Sequence, residues 1–336
     1  MKNQQIVLNE RPVGIPQPMH FSATSNEIDL SPGEGQIAIK NLYLSIDPAM
    51  RGWVSLEENY LPPVEIGEVM RSIAVGEVIQ SNHPNFVKGD CVYGMFGWQE
   101  YCVVDVATPM LRKVNPNIAP VSTALGALGP NGLTAYLALH EIGQIKSGDT
   151  VLISTAAGGV GSIAGQIAKL MGCTCIGLTG SDEKVALCLE EFGYDHAINY
   201  KTCNNLEDKI RELAPQGINV FFDNTSGHIA DSVYPALALN ARVIQVGTAA
   251  IDNWETSPSG PRRDRYVLTK RLTIAGFVIL DYIAKFPETL AQLAHLFQEG
   301  KLNYKESITD GLENAPMALT NLYEGLNKGK QLIRIC

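Results

Sequence analysis

Thr150-Val-Leu-Ile-Ser154, Thr155-Ala-Ala-Gly-Gly-Val-Gly161 and Ser162-Ile-Ala-Gly-Gln-Ile-Ala-Lys-Leu-Met171 follow one another without interruption. The first stretch has the β-branched and apolar run of a buried strand. The last carries apolar residues at helical spacing. Strand, tight glycine turn and helix form the context in which such a turn receives a dinucleotide. Gly158 lets the backbone approach a pyrophosphate without a Cβ in the way, and Gly161 lets the helix pack close on the strand. The free N–H groups of the first helical turn, around Val160 and Gly161, meet the phosphate charge. Ala156 stands where the fingerprint G-x-G-x-x-G has its first glycine, so the turn alone leaves open a structural role without a ligand.

Outward from this turn, strand and helix patterns alternate. Strands are expected at 150–154, 174–179, 196–199, 220–223 and 241–247, and helices at 161–171, 183–192, 206–214 and 229–237. Repeated βαβ implies a parallel sheet covered by helices on both faces. Before it, 36–44, 72–80, 91–94 and 100–104 read as short strands of an all-β domain with long loops. After it, 287–299 and 315–326 read as helices and 331–335 as a last strand.

The tip of the second strand of the parallel sheet selects the nucleotide. An NAD site usually places an acid about 20 residues past the glycines, where it accepts from the adenosine ribose. Here the strand ends Thr179-Gly180-Ser181, followed by Lys184, and Tyr200 closes the third strand. Small polar residues, a cation and a phenol make a pocket for the 2′-phosphate of NADP and leave an NAD ribose without its acceptor. Asp182 lies past the strand end and reads as a helix N-cap, with Glu183 in the first turn.

The 336 residues suit two domains, and 45% hydrophobic against 18% charged residues gives enough apolar material for compact cores. A net charge of −9 excludes the basic footprint of a nucleic-acid or anionic-membrane partner, leaving a small molecule. The N-terminus has no apolar core of a signal peptide, and no uncharged run of about 18 residues spans a bilayer, so the chain reads as cytoplasmic. Seven cysteines without repeated spacing indicate neither disulfides nor a redox motif. Cys173 and Cys175 are expected on opposite faces of one strand. The six histidines are dispersed, without Cys or His partners at ligand spacing, so no metal site is expected.

Further segments carry a resemblance. They are Asn41-Leu-Tyr-Leu-Ser-Ile-Asp-Pro48, Met50-Arg-Gly52, Pro63-Val-Glu-Ile-Gly-Glu-Val-Met70, Gly97-Trp-Gln-Glu-Tyr101, Gly132-Leu-Thr-Ala-Tyr136, Gly165-Gln-Ile-Ala-Lys-Leu170, Asp223-Asn224, Gly276-Phe277 and Gly311-Leu-Glu-Asn-Ala-Pro316. With these the sequence resembles, over essentially its whole length, the zinc-independent medium-chain reductases that include prostaglandin reductases, plant double-bond reductases and bacterial curcumin reductases. The resemblance implies an α/β protein. A GroES-like β-barrel domain (1–125, with a return at 301–336) would flank a Rossmann doubly wound domain (126–300). It implies NADP(H) as cofactor, an α,β-unsaturated carbonyl as substrate and a homodimer. Position by position, it places Gly158, Val160 and Gly161 at the pyrophosphate and Lys184 and Tyr200, beside Gly180, at the 2′-phosphate. Thr134, Asn224, Gly247, Phe277 and Asn327 would follow the cofactor's length, although Phe277 also reads as core and Asn327 as a helix C-cap.

The substrate side departs from the family. Its Asp-Pro-Tyr-Met-Arg is here Asp47-Pro-Ala-Met-Arg51, so Ala49 stands where a tyrosine is usual. Asp252 stands where a phenol is usual after the glycine of the sixth Rossmann strand, Gly247, and Gly129-Pro-Asn-Gly132 replaces Gly-Met-Pro-Gly. Tyr60 is the remaining phenol expected near the substrate, and it also reads as a loop aromatic packed on Leu61 and Pro62. Without a metal, hydride addition to the β carbon of an enone is the accessible reduction, and the site must stabilise an enolate. A quinone reductase of the same superfamily is a second reading. A third is an NADPH-binding sensor with weakened catalysis.

Overall fold

A computed structural model describes residues 1–251 and 259–335. They separate into two compact units, one of residues 1–125 and 306–335, the other of residues 126–251 and 259–305. The chain returns to the first unit with the strand Glu306–Asp310.

The second unit is built on one six-stranded sheet. In order across it the strands are His196–Asn199, Thr174–Thr179, Thr150–Ser154, Ile218–Asp223, Leu237–Gln245 and Thr273–Gly276. Every neighbouring pair is parallel. By position in the chain this is the order 3-2-1-4-5-6, and it reverses direction between the first and fourth strands. Alternation along the strands fills two cores. Val151, Ile153, Val220 and Phe222 meet residues of the helices Pro130–Leu137 and Gly159–Leu170 on one face. Leu152, Phe221 and Val243 meet Ile210, Ile229 and Val233 on the other. Burial on both faces explains why these strands read as continuous apolar runs.

The first unit carries a seven-stranded sheet. Along it lie Glu306–Asp310, Lys330–Arg334, Gln36–Ile46, Ile73–Ser81, Cys91–Met95 and Arg112–Lys113, with Tyr101–Asp105 also pairing with Gln36–Ile46. A separate antiparallel pair joins Lys2–Leu8 to Phe21–Glu27. This pair is not legible from pattern: Ser22-Ala-Thr-Ser-Asn-Glu27 is mostly exposed and short of strand-favouring apolar residues. Tertiary bonds hold it instead, with Asn3 Nδ2 donating to the Tyr101 carbonyl at 2.9 Å and the Tyr101 N–H donating back to Asn3 Oδ1 at 3.0 Å.

Three local expectations are corrected. Cys173 precedes the strand Thr174–Thr179, and it enters the same apolar core as Cys175, because residues two apart share a face. Gly247 follows the fifth strand of the sheet. The sixth, Thr273–Gly276, is a short and largely exposed edge that carries no buried run to announce it. The helix at 315–326 ends at Glu324, where Gly325 takes the left-handed cap conformation, so Asn327 is no C-cap; its Nδ2 donates to the Gly329 carbonyl at 2.8 Å.

Candidate active site

The glycine turn is a cradle shaped by absent side chains. Thr155, at φ +53°, reverses the chain after the first strand, and the Gly158 N–H donates to its carbonyl at 2.9 Å. A Cβ on Gly161 would stand 2.3 Å from the Thr155 oxygen, one on Gly158 2.9 Å from Thr155 Cγ2, and one on Gly159 2.9 Å from Asn131 Nδ2. The helix Gly159–Leu170 starts at this cradle, and its uncapped N–H groups and dipole suit a diphosphate. Tyr194 braces the turn from below: its hydroxyl donates to the Gly161 carbonyl at 2.7 Å. Its ring also lies where a Cβ on Gly165 would be, 2.2 Å away. Val160 packs against the adjoining core.

At the point where the strand order reverses, the first and fourth strands are bonded at their ends. Asn224 Nδ2 donates to the Ser154 carbonyl at 2.7 Å, and the Asn224 N–H to Ser154 Oγ at 2.8 Å. The Ser154 hydroxyl donates to Asp223 Oδ1 at 3.2 Å, and the same oxygen accepts from the N–H groups of Thr225 and Ser226, each at 2.9 Å. Gly247 follows the neighbouring strand, and a Cβ there would meet the Asn224 carbonyl oxygen at 2.9 Å. Phe277 follows the sixth strand, its N–H donating to the Gln245 carbonyl at 3.0 Å and its ring stacked on Tyr282. Gly158, Val160, Gly161, Asn224, Gly247 and Phe277 thus share the carboxyl edge of the sheet, where open α/β sheets bind ligands. Thr134 is buried in the helix Pro130–Leu137.

Gly180 and Tyr200 come together at the tip of the second strand. The Tyr200 N–H donates to the Thr179 carbonyl at 3.0 Å, and its hydroxyl lies 3.0 Å from where a Gly180 Cβ would be. Burial raises the Tyr200 pKa, which keeps the phenol a donor. Lys184 sits in the first turn of the helix Asp182–Glu190, its N–H donating to Ser181 Oγ at 3.3 Å. Ser181, and not Asp182, is therefore the N-cap. The Asp182 carboxylate accepts from Asn199 Nδ2 at 2.7 Å, an engagement that ties it to the third strand.

In the first unit, Ala49 precedes the short helix Met50–Trp53 and packs on that unit's core. Tyr60 is 51% exposed, yet desolvation around its hydroxyl raises its pKa. Tyr323, which sequence reasoning passes over, donates to the Pro48 carbonyl at 2.5 Å, and burial raises its pKa as well. Lys330 Nζ is buried against Asp47 Oδ1 and donates to the Ile46 carbonyl at 3.0 Å, fixing the start of the Asp47–Arg51 segment. The signal for Tyr323 and Lys330 is tertiary, since both come from the returning C-terminal chain. Asn327 is buried in this unit. Asp252 lies outside the described residues. Among the described residues, no group of three His, Cys, Asp or Glu is placed to hold a metal ion.

Comparison with known proteins agrees with this architecture. Residues 4–113 match the N-terminal domain of oxidoreductase family, and residues 159–296 the zinc-binding dehydrogenase family. The chain is 38% identical to an NADPH-dependent curcumin reductase of Escherichia coli, covering 99% of this chain and 97% of that one. The chain belongs to the medium-chain dehydrogenase/reductase family. Within that family it is also 35% identical to a 2-alkenal reductase (NADP(+)-dependent) of Nicotiana tabacum, over 100% of this chain and 98% of the relative. Among solved medium-chain reductases, CurA from Vibrio vulnificus in complex with NADPH superposes with a TM-score of 0.93 at 37% identity, covering 99% of both chains.

Proposed function

We propose that this protein is an NADPH-dependent reductase of the C=C bond of α,β-unsaturated aldehydes and ketones. The observation that carries the reading is the tip of the second strand. Gly180, Tyr200 and the first helical turn with Lys184 form it; of the two acids in that turn, Asp182 and Glu183, the first is engaged by Asn199 and neither stands on the strand tip itself. That arrangement favours a 2′-phosphate over a free ribose. The full-length relatives named for curcumin and 2-alkenal reduction support the acceptor class.

When bound, NADPH would supply the hydride that adds to the β carbon of the substrate, and a proton from water would complete the reduction at the α carbon. The chain's part is positioning and electrostatics. Gly158, Val160 and Gly161 would receive the diphosphate, and Asn224, Gly247 and Phe277 at the carboxyl edge, with Thr134 on the helix Pro130–Leu137, would hold the rest of the nucleotide. The resemblance adds Asn327 to the cofactor residues. Tyr60, protonated well past neutral pH, donates a hydrogen bond to the carbonyl oxygen as enolate charge develops, and Ala49 and Asp252 shape the acceptor side.

We read the enzyme as zinc-independent, cytoplasmic and homodimeric, with no nucleic-acid or membrane partner. The zinc-free reading rests on the dispersed histidines and cysteines of the sequence and on the resemblance. All six cysteines among the described residues are free thiols, which suits a reducing compartment. Among the described residues, no helix is long and apolar enough to cross a membrane. The edge strand Thr273–Gly276, with exposed Ile274 and nearby Leu268, supports pairing with a second copy. NADPH and NADH oxidation against a panel of enals, enones and quinones tests the reading. Turnover of enals and enones with strong NADPH preference is expected. Equal use of NADH, or turnover of quinones alone, contradicts it.

A further inference from the structure

Asn131 is the residue at the glycine cradle that neither the fingerprint nor the resemblance assigns. It lies in the turn Gly129-Pro-Asn-Gly132. The turn is rigid. Gly129 and Gly132 both donate from their backbone N–H to the Gly126 carbonyl at 3.1 Å. A Cβ on Gly132 would fall 1.9 Å from the Ala127 oxygen, so nothing larger than glycine fits there. Pro130 then opens the helix Pro130–Leu137 with φ already set, and Asn131 is its next residue. The Asn131 side chain reaches across to the cradle: Nδ2, Cγ and Oδ1 lie 2.9, 3.2 and 3.5 Å from the Cβ position of Gly159. The residue is 8% exposed, and its amide oxygen has no hydrogen-bond partner among the described residues.

A buried amide oxygen without a partner is unfavourable, and such groups persist in folded proteins where something else uses them. An amide side chain offers one face with donors and one with an acceptor. The joint between a diphosphate and its ribose offers the complement, phosphate oxygens that accept and hydroxyls that donate. We propose that Asn131 is a cofactor-positioning residue that takes this diphosphate–ribose joint of NADPH, holding it over Gly159. The inference rests on the NADPH reading above and adds to it the residue that orients the cofactor beyond its adenosine end.

Two substitutions separate binding from folding. Asn131→Asp keeps the shape but replaces the donors with a negative charge facing phosphate. Near a helix N-terminus that charge favours the fold itself. Asn131→Ala removes both donor and acceptor. The dissociation constants of NADPH and of adenosine 2′-monophosphate, which lacks the diphosphate, are measured by calorimetry on both variants, together with the melting temperature of the free protein. Asn131→Asp is expected to weaken NADPH at least about tenfold and Asn131→Ala several-fold. Binding of the monophosphate should stay within about twofold and the melting temperature should be unchanged or, for Asp, higher. NADPH binding within about twofold of the parent in both variants overturns the proposal, as does equal weakening of both ligands, which marks a structural role. A parent protein that binds no NADPH overturns the functional reading as well, and so is distinguished from failure of Asn131 alone.

Discussion

Asn224 ties the end of the fourth strand of the parallel sheet to the end of the first: its Nδ2 donates to the Ser154 carbonyl at 2.7 Å while its N–H donates to the Ser154 hydroxyl at 2.8 Å. The strand order reverses at this pair, and the seam that opens there is the ligand edge of the fold. Ser154→Ala removes the acceptor of the Asn224 N–H and the donor to Asp223, in a place with no exposure to water. A stability loss of roughly 1–3 kcal/mol is expected in urea unfolding, with a rise in KM for NADPH, since the displaced residue belongs to the cofactor edge.

The proposed function gives Lys184 the 2′-phosphate of NADPH. Lys184→Ala should raise KM for NADPH by about tenfold or more, the loss of one charge-assisted phosphate contact, and leave that for NADH nearly unchanged. Steady-state kinetics with both cofactors check it. An equal effect on the two returns Lys184 to a surface role.

Gly161 is required by its neighbours. A Cβ there would approach the Thr155 oxygen to 2.3 Å and Ala156 Cα to 2.8 Å, both backbone atoms that cannot swing away. Gly161→Ala is expected to cost roughly 1–3 kcal/mol of stability and to weaken NADPH binding sharply, because relief requires reshaping the cradle. Thermal melts with and without NADPH measure both effects.

Asp195 gives the fold a defined acid sensitivity. Burial pushes its carboxyl up, but the Lys169 ammonium at 2.7 Å and the Cys175 N–H at 2.7 Å outweigh this and hold its pKa below the ordinary aspartate value. A carboxyl depressed in the folded state contributes stability that is fully present above its unfolded pKa, about 3.9, and is lost as pH falls through the lower folded value. The stability advantage of the parent over Asp195→Asn should therefore be constant from neutral pH down to about 5 and shrink below about 4. Urea unfolding at stepped pH values shows whether it does.

Much of the parallel unit is legible in the sequence because its physics is local. Buried strands such as Thr150–Ser154 are apolar on both faces, and the glycines of the turn mark a close approach that no other residue allows. The acid-free tip at Gly180 is equally local. Legibility ends where tertiary context decides. The pair Lys2–Leu8 and Phe21–Glu27 is held by bonds to residues near Tyr101, and the edge Thr273–Gly276 is too short and exposed to carry a pattern. Ser181 and Asp182 are both capable N-caps, and only the Asn199 amide, which engages Asp182, determines which one serves. At the site, Asn131, Tyr194 and Tyr323 carry no motif. Their significance comes from what lies opposite them: Gly159, the Gly161 carbonyl and the Pro48 carbonyl.

The central claim is hydride transfer from NADPH to a carbon–carbon double bond, and isotope placement tests it most directly. The protein is incubated with an aryl enone and NADPH deuterated at C4, and the product is examined by NMR. The account predicts the saturated ketone with one deuterium on the β carbon and the carbonyl intact. Deuterium on the carbonyl carbon of an allylic alcohol, or no transfer to any enone while NADPH still binds, would contradict it.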